Sequence, residues 1–221
     1  KSMIQPLYAI YGANGCGRGV MPLAREQLQK LDVSLDRLVF VDDNLGGKVV
    51  NGHQVLTYSE FSKMEASERK VVIAVANTSI RKKLAERCLN DGQKFWSVKA
   101  SNTVTMDDVK LGEGAILSPF VTLTSNIKIG QHFHANIYSY VEHDCVIGDY
   151  VTFAPAVKCN GNIMIEDHAY IGAGAVIKQG EPGKPTVIGQ GAVVGMGAVV
   201  TKSISPGTTV VGNPAQQLAK N

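Results

Sequence analysis

The sequence has 221 residues, of which 44% are hydrophobic and only 6% aromatic, so it predicts one or two domains with aliphatic cores. Its formal net charge of +3 comes with no basic run, which argues against nucleic-acid binding. No apolar stretch reaches the roughly 18 residues of a membrane span, and the four cysteines lack CxxC spacing. We therefore expect a cytoplasmic protein with free thiols, no metal site and no membrane span.

The first part of the chain, residues 3–100, alternates between strand and helix signals. Short apolar runs indicate the strands, and apolar residues at helical spacing indicate the helices between them. The predicted strands are Leu7–Tyr11, Leu38–Val41, residues 71–75 and residues 95–98, and the predicted helices follow Gly17 and span residues 79–89. Because strands and helices alternate, this domain is predicted to be α/β, with a parallel, Rossmann-like sheet.

From Leu111 onward, a small or apolar residue recurs at every sixth position through twelve members. They are Leu111, Leu117, Leu123, Ile129, Ala135, Val141, Ile147, Phe153, Cys159, Ile165, Ile171 and Ile177. Such a repeat is typical of a parallel β-helix, in which each hexad forms one face of a triangular prism and a coil takes about 18 residues. Residues 101–221 should form this second, all-β domain, with positions one coil apart stacked on each other. Residues 178–187 break the period and should leave the prism as a loop.

A glycine-rich turn follows the first predicted strand and opens the first helix. It contains Gly12, Asn14, Gly15, Cys16 and Gly17, and its backbone amides could hold a phosphate group. The order of the glycines is GxxGxG and not the dinucleotide pattern GxGxxG, so the motif alone is a weak indication.

Polar or small residues also follow the next two predicted strands. Asp42 and Asp43 end the second strand, and Ala76 follows the third. Open parallel sheets bind ligands at this edge, where a carboxylate could accept from a base N–H or a ribose hydroxyl. A simple acidic turn is the alternative interpretation of the two aspartates.

The hexads and five short segments resemble the motifs of one enzyme family. The short segments are residues 11–17 (YGANGCG), residues 41–43 (VDD), residues 141–145 (VEHDC) and residues 199–202 with 211–215 (VVTK and VGNPA). The chain is similar to the hexapeptide-repeat acyltransferases, and within them to the nucleotide-sugar N-acetyltransferases of bacillosamine, perosamine and viosamine pathways. The resemblance implies a left-handed parallel β-helix, a homotrimer, and acetyl-CoA bound between neighbouring prisms. Related sequences are also sialic acid O-acetyltransferases, which leaves the acceptor atom open.

His143 is the candidate catalytic base. It should face outward near a corner of the prism, and its neighbour one coil on is Gly161, which leaves space beside the imidazole and a bare backbone N–H as an oxyanion donor. Asp144 can hold one imidazole nitrogen and raise the basicity of the ring. By family position, Asn136 is a supporting residue.

Other histidines compete with this interpretation. His132 and His134 are alternative bases, whereas His53 and His168 are expected to be solvated. A histidine on the outside of a β-helix is also frequently an ordinary surface residue.

The resemblance further implies the coenzyme contacts. Ala173 and Met196 would present backbone to the pantetheine of acetyl-CoA, and Thr152 would lie near the thioester. Thr152 and Cys16 both stand where some relatives have histidine.

These observations together predict transfer of acetyl from acetyl-CoA to the 4-amino group of a UDP- or dTDP-linked 4-amino-4,6-dideoxy sugar, by direct attack. A sugar O-acetyltransferase, a non-catalytic trimeric nucleotide-binding protein and a nicotinamide oxidoreductase are the alternatives. The sugar stereochemistry, the nucleotide base and the acyl length depend on loop shapes that the sequence does not define.

Overall fold

The computed structural model describes residues 3–219 and divides them into two compact units. One unit ends at Lys99 and the other begins at Ala100. All four cysteines are free thiols; Cys16 is exposed and the other three are buried. Within residues 3–219, no helix combines the length and apolar character needed to cross a lipid bilayer.

The N-terminal unit is a six-stranded sheet with helices between its strands. Its elements are β1 (Leu7–Tyr11), α1 (Gly15–Gln29), a short 3₁₀ helix (Leu35–Arg37), β2 (Leu38–Val41), β3 (Val49–Val50), β4 (His53–Leu56), α2 (Tyr58–Lys63), β5 (Arg69–Ile73), α3 (Thr78–Asn90), β6 (Lys94–Phe95) and β7 (Val98–Lys99). The strand order is β3-β4-β2-β1-β5-β6, and every pair is parallel except β3 with β4. The predicted α/β unit with a parallel sheet is confirmed, and its Rossmann-like classification stays a prediction.

Three features of this unit differ from the sequence prediction. β5 lies two residues earlier than predicted, because Arg69 and Lys70 already pair with β1. The last predicted strand is divided into β6 and β7 by Trp96, whose ring packs edge-on against Tyr8 and whose Nε1 donates to the Ala9 carbonyl at 3.2 Å. β3, β4 and α2 were not predicted, since segments of two to six residues carry too little periodicity.

The C-terminal unit consists of three sheets, which are parallel except at the last strand pair. Its strands are β8 (Val104–Thr105), β9 (Val109–Leu111), β10 (Ile116–Leu117), β11 (Thr122–Leu123), β12 (Ile127–Ile129), β13 (His134–Ala135), β14 (Tyr140–Val141), β15 (Val146–Ile147), β16 (Thr152–Phe153), β17 (Lys158–Cys159), β18 (Ile163–Ile165), β19 (Tyr170–Ile171), β20 (Val176–Ile177), β21 (Thr186–Ile188), β22 (Val193–Val194), β23 (Val199–Val200), β24 (Thr209–Val211) and β25 (Gln216–Gln217). From β8 to β23, consecutive strands belong to different sheets, and every third strand pairs in parallel with the one a coil before it. At the end of the prism, β24 pairs in parallel with β22 and antiparallel with β25.

The register of these sheets agrees with the predicted stacking. Tyr140 pairs with Lys158, and Lys158 pairs with Val176, so residues one coil apart are neighbours. All twelve predicted hexad positions are buried except Leu111, which is half-buried at the start of the prism. The predicted parallel β-helix is therefore confirmed, while the left-handed sense of its coils stays a prediction.

The corners of the prism are formed by residues in the left-handed backbone region. Every sixth residue from Phe120 to His168 has a positive φ; Asp144, for example, has a φ of 58°. Gly114, Gly174 and Gly191 occupy the same corner positions. Asp108, Asn126, Asp144 and Asn162 recur every eighteen residues at one corner, and aspartate and asparagine tolerate this conformation better than most residues.

The predicted loop leaves the prism where the period breaks. An isolated antiparallel bridge joins Glu181 to Lys184, and Ile163 then pairs with Thr186. Thr186 and Val187 belong to β21, so the loop ends two residues earlier than predicted. These β-branched residues continue directly into the strand that ends at Ile188.

Candidate active site

His143 and Gly161 lie against each other at one corner of the prism. A Cβ atom built on Gly161 would be 2.6 Å from both Cε1 and Nε2 of His143, so only glycine leaves room for the ring. The Asn162 N–H donates to the His143 carbonyl at 3.0 Å, which fixes the two coils at this point. The structure therefore brings together the two residues that the period predicts as neighbours.

Asp144 holds the other edge of the imidazole. Its Oδ2 is 2.7 Å from His143 Nδ1, and both side chains are about half exposed, at 54% and 55%. This hydrogen bond is the main cause that raises the pKa of His143 above its usual 6.5, with the negative charges of Asp144 and Glu142 acting in the same direction. Because Nδ1–H donates to the carboxylate, Nε2 carries the lone pair on the side that faces Gly161.

The peptide group between Asn160 and Gly161 has its N–H available. Within the described part of the chain, the Gly161 N–H has no hydrogen-bond acceptor, whereas the Gly161 carbonyl accepts from Gly180 at 3.0 Å. Gly180 lies at the start of the loop that leaves the prism. An unused N–H beside an imidazole can stabilise a developing oxyanion.

The two histidines that compete with His143 as the base, His132 and His134, are buried in the prism. His132 is 2% exposed and stacks on Tyr150, and His134 is also buried, at 6%. His168 stacks on the opposite side of Tyr150, in a ladder along one corner. His168 and His53, which are expected to be solvated, are both partly exposed, and His53 Nε2 lies 3.0 Å from Arg25 Nη1.

Asn136 lies apart from His143 within one chain. Its side-chain Oδ1 accepts from the Ile137 N–H at 2.8 Å, and it follows β13 at a different corner from His143. No contact between Asn136 and His143 is present among residues 3–219. The role of Asn136 in supporting the catalytic base therefore stays a prediction. Within one chain, its side chain is at a different corner from His143.

The predicted coenzyme residues lie at two places on the prism. Ala173 and Met196 are neighbours in adjacent coils, since the Gly197 N–H donates to the Ala173 carbonyl at 2.8 Å, and Met196 is 82% exposed. Thr152 is 5% exposed, between His134 and Tyr170 on another face. Of these three, only Ala173 and Met196 form an exposed surface.

The N-terminal unit contains a cavity of about 480 Å³ at the carboxyl ends of β1, β2 and β5. Five predicted site residues line it, and Gly15 does not. The lining residues are Tyr11, Gly12, Asn14, Cys16, Asp42, Asp43, Asn44, Ala74, Val75, Ala76, Ile80 and Leu84. The three strand ends thus form one pocket, as the sequence predicts.

The two aspartates of this cavity differ in their surroundings. Asp42 is 8% exposed, and its carboxylate accepts from the Ala13, Asn44 and Leu45 N–H groups at 2.9–3.2 Å. Asp43 has a half-exposed side chain, and its two oxygens contact the Tyr58 N–H at 2.9 Å and Arg87 at 3.2 Å. Asp42 therefore holds the loops together, while Asp43 has the more accessible carboxylate.

Sequence reasoning missed three residues beside Asp43. Arg87 Nη1 donates to the Tyr11 hydroxyl at 3.1 Å, and its guanidinium lies 3.9 Å above the Tyr58 ring. Burial is the main cause that raises the pKa of Tyr11 to about 12, so its hydroxyl stays protonated at neutral pH. Arg87 is on α3, far along the chain from either motif, and no local pattern could identify it.

The glycine-rich turn is explained mainly by packing. Gly12 has a φ of 117°, and a Cβ there would lie 2.7 Å from the Ala74 carbonyl oxygen. A Cβ on Gly17 would lie 1.8 Å from the Gly12 carbonyl oxygen, whereas Gly15 has only the end of Arg18 within 4 Å. The first and third glycines are thus required by the turn itself, without a phosphate.

Two family models match the chain. The model described as the PglD N-terminal domain matches residues 8–88. The model described as the hexapeptide repeat of succinyl-transferase matches residues 162–202.

Similar proteins match over nearly the whole length. A GDP-perosamine N-acetyltransferase of Escherichia coli O157:H7 is 52% identical over 215 residues, which cover 97% of each chain. The structure of WeeI from Acinetobacter baumannii AYE is 57% identical with a TM-score of 0.94, covering 97% of this chain and 100% of that one. The acetyltransferase domain of PglB from Neisseria gonorrhoeae FA1090, in complex with acetyl coenzyme A, is 26% identical with a TM-score of 0.82, covering 98% of this chain and 100% of that one.

Proposed function

Because this chain belongs to the hexapeptide-repeat acyltransferases, in the subfamily of nucleotide-sugar N-acetyltransferases, we propose that it acetylates the 4-amino group of a nucleotide-linked 4-amino-4,6-dideoxy sugar. It is an acetyl-CoA-dependent acetyltransferase. The observation that carries the proposal is the contact between the His143 imidazole and Gly161, with Asp144 on the far side of the ring.

The reaction is a direct transfer with His143 as general base. The sugar nitrogen attacks the thioester carbonyl, and Nε2 of His143 removes one proton from that nitrogen as the C–N bond forms. The Gly161 N–H donates to the oxygen of the tetrahedral intermediate, which then expels the CoA thiolate. Asp144 stabilises the imidazolium that forms during this step.

The two units divide the binding of the substrates. The cavity beside Asp43 holds the nucleotide sugar, and the prism holds acetyl-CoA along the exposed backbone at Ala173 and Met196. The sequence alone predicted UDP or dTDP as the carrier. The E. coli relative is named for a GDP-linked sugar, so GDP is a third candidate carrier. GDP-perosamine is therefore the first substrate to test.

The proposal includes a homotrimer of left-handed prisms with the coenzyme between neighbouring subunits. Asn136 and His143 lie at different corners of one prism, so a neighbouring subunit would be needed to bring an Asn136 side chain to the base. Structures with TM-scores of 0.94 and 0.82 support the fold on which this arrangement depends.

A thiol-release assay with acetyl-CoA tests the proposed function. GDP-, UDP- and dTDP-linked 4-amino-4,6-dideoxy sugars are compared with 4-hydroxy counterparts such as GDP-rhamnose, and mass spectrometry identifies the product. We expect thiol release with at least one amino sugar, and a product that gains one acetyl group on nitrogen. Turnover of the hydroxy sugars alone would instead identify an O-acetyltransferase, and no turnover with any sugar would contradict the proposal.

A further inference from the structure

The thiol of Cys145 lies directly beneath the contact between His143 and Gly161. Cys145 is 1% exposed and belongs to the core of the prism. Its Sγ is 3.2 Å from the carbonyl oxygen of Asn160 and 3.6 Å from that of His143. One buried thiol thus contacts the backbone of both coils at the candidate site.

The Asn160 carbonyl and the Gly161 N–H belong to the same peptide group. A trans peptide is planar, and its C=O and N–H point in opposite directions. Because the carbonyl points to a thiol inside the prism, the N–H points outward, to the side where His143 lies. The direction of the proposed oxyanion donor therefore depends on where the carbonyl is held.

The side chain of Asn160 holds the same peptide group from outside. Its Oδ1 accepts from the Tyr140 hydroxyl at 2.9 Å, and its Nδ2 donates to the Ile177 carbonyl at 2.8 Å. These two bonds fix the Cα of Asn160, from which the peptide group extends, while Cys145 contacts the peptide carbonyl itself.

A second thiol, that of Cys159, lies beside Cys145 inside the prism. Cys159 is fully buried and forms a hydrogen bond with Cys145, and this contact and burial raise the pKa of Cys159 well above its usual value. The same contact is the main cause that lowers the pKa of Cys145. Of the two sulfur atoms, that of Cys145 is the nearer to the Asn160 carbonyl, at 3.2 Å. The Cys159 sulfur itself is 3.9 Å from that carbonyl, so its direct contact is the weaker one.

We propose that Cys145 is a positioning residue, whose thiol holds the Asn160–Gly161 peptide with its N–H aimed at the developing oxyanion. This inference rests on the proposed function, because it assigns Cys145 a part in the same reaction. Cys145 touches no substrate and acts only through the peptide group.

Three variants test this role. Cys145→Val is somewhat larger than cysteine and removes the donor, and Cys145→Ser keeps a donor. Cys159→Val is the matched control, because it makes the same change at the neighbouring thiol. We expect Cys145→Val to lower kcat by about tenfold or more, because a misdirected oxyanion donor is costly to the transition state. The KM for the nucleotide sugar should not change. Cys145→Ser and Cys159→Val should each keep kcat within about threefold of the wild type.

Several results would overturn the inference. One is a kcat for Cys145→Val within about threefold of the wild type, and another is an equal loss in Cys159→Val. A change in the KM for the nucleotide sugar, without a change in kcat, would show a merely structural role. Cys145→Ala, which adds no bulk, replaces the valine variant if thermal melting shows that the latter does not fold. A wild-type protein without activity would contradict the proposed function itself, which is a separate outcome.

Discussion

Asp144 shows how a single residue serves both the fold and the site. Its φ of 58° makes a corner of the prism, and aspartate tolerates this backbone conformation better than most residues. The corner turns the chain so that the carboxylate reaches the preceding imidazole at 2.7 Å. Adjacent residues in a strand would point to opposite faces, so the corner explains how neighbours in sequence form the pair.

Replacing Asp144 by asparagine should change the pH dependence of the reaction. His143 accepts a proton only when it is neutral, so activity is lost as the pH falls through its pKa. Asp144 raises that pKa, and the asparagine variant should therefore move the acid midpoint of kcat/KM to lower pH, while kcat decreases by about tenfold or more. A pH–rate profile from about pH 5 to 9 measures both changes. An unchanged midpoint would remove Asp144 from this role.

Gly161→Ala should damage catalysis more than stability. The new Cβ would lie 2.6 Å from two ring atoms of His143, and an exposed imidazole can swing away without unfolding the prism. We expect kcat to decrease by about tenfold or more, with a melting temperature within a few degrees of the wild type. Gly19→Ala is the control, because no atom lies within 4 Å of its added Cβ. Wild-type kcat in Gly161→Ala would show that the ring position is not important.

Among individual residues, the sequence identified those whose position in the prism follows from the six-residue repeat. His143 and Gly161 are neighbours because they are one coil apart, and this was predictable without coordinates. The contact of Cys145 with the Asn160 carbonyl was not predicted, because a side chain that bonds to the backbone of the next coil leaves no mark in the hydrophobic pattern. The same holds for His132, whose burial depends on stacking with Tyr150.

Among the elements, the hexads were the most predictable part of the fold. The inward positions recur at a constant spacing of six residues, so assigning one of them wrongly does not shift the assignment of the others. The loop at residues 178–185 was also predictable, because glycine and proline interrupt the period there. β4 and α2 were missed, since His53–Leu56 and Tyr58–Lys63 are too short to show a period and owe their form to pairing with β2 and packing of Phe61.

The N-terminal elements provide a prediction about substrate binding. α3 brings Arg87 to the Tyr11 hydroxyl and the Asp43 carboxylate, so Arg87→Ala should release both groups at the edge of the cavity. We expect KM for the nucleotide sugar to increase by about fivefold or more, while KM for acetyl-CoA stays the same. Steady-state kinetics with each substrate varied in turn measures the two constants.

Lys82→Ala is the control for the arginine variant. Lys82 lies on the same helix, with a half-exposed side chain whose ion pair to Glu86 is 3.9 Å long. Such surface pairs contribute little, so its kinetics should match the wild type. Equal effects of the two substitutions would attribute the change to α3 in general and not to Arg87.

For the whole molecule, the proposed homotrimer is the part of the account that needs an experiment of its own, because it concerns several copies of the chain. The separation of Asn136 from His143, the 82% exposed Met196 and the relatives' fold all motivate it. Light scattering coupled to size exclusion should give a mass about three times the 23.6 kDa of one chain. A monomer that retains full activity would contradict both the trimer and the assignment of the coenzyme to a groove between subunits.

The most direct test of the account is the kcat of His143→Ala with acetyl-CoA and the amino sugar that the wild type accepts. General-base catalysis by a positioned histidine predicts a loss of roughly 10²–10⁴, in a protein whose melting temperature and oligomeric state are unchanged. A loss of less than about tenfold would contradict the central claim that this imidazole removes the proton from the attacking nitrogen.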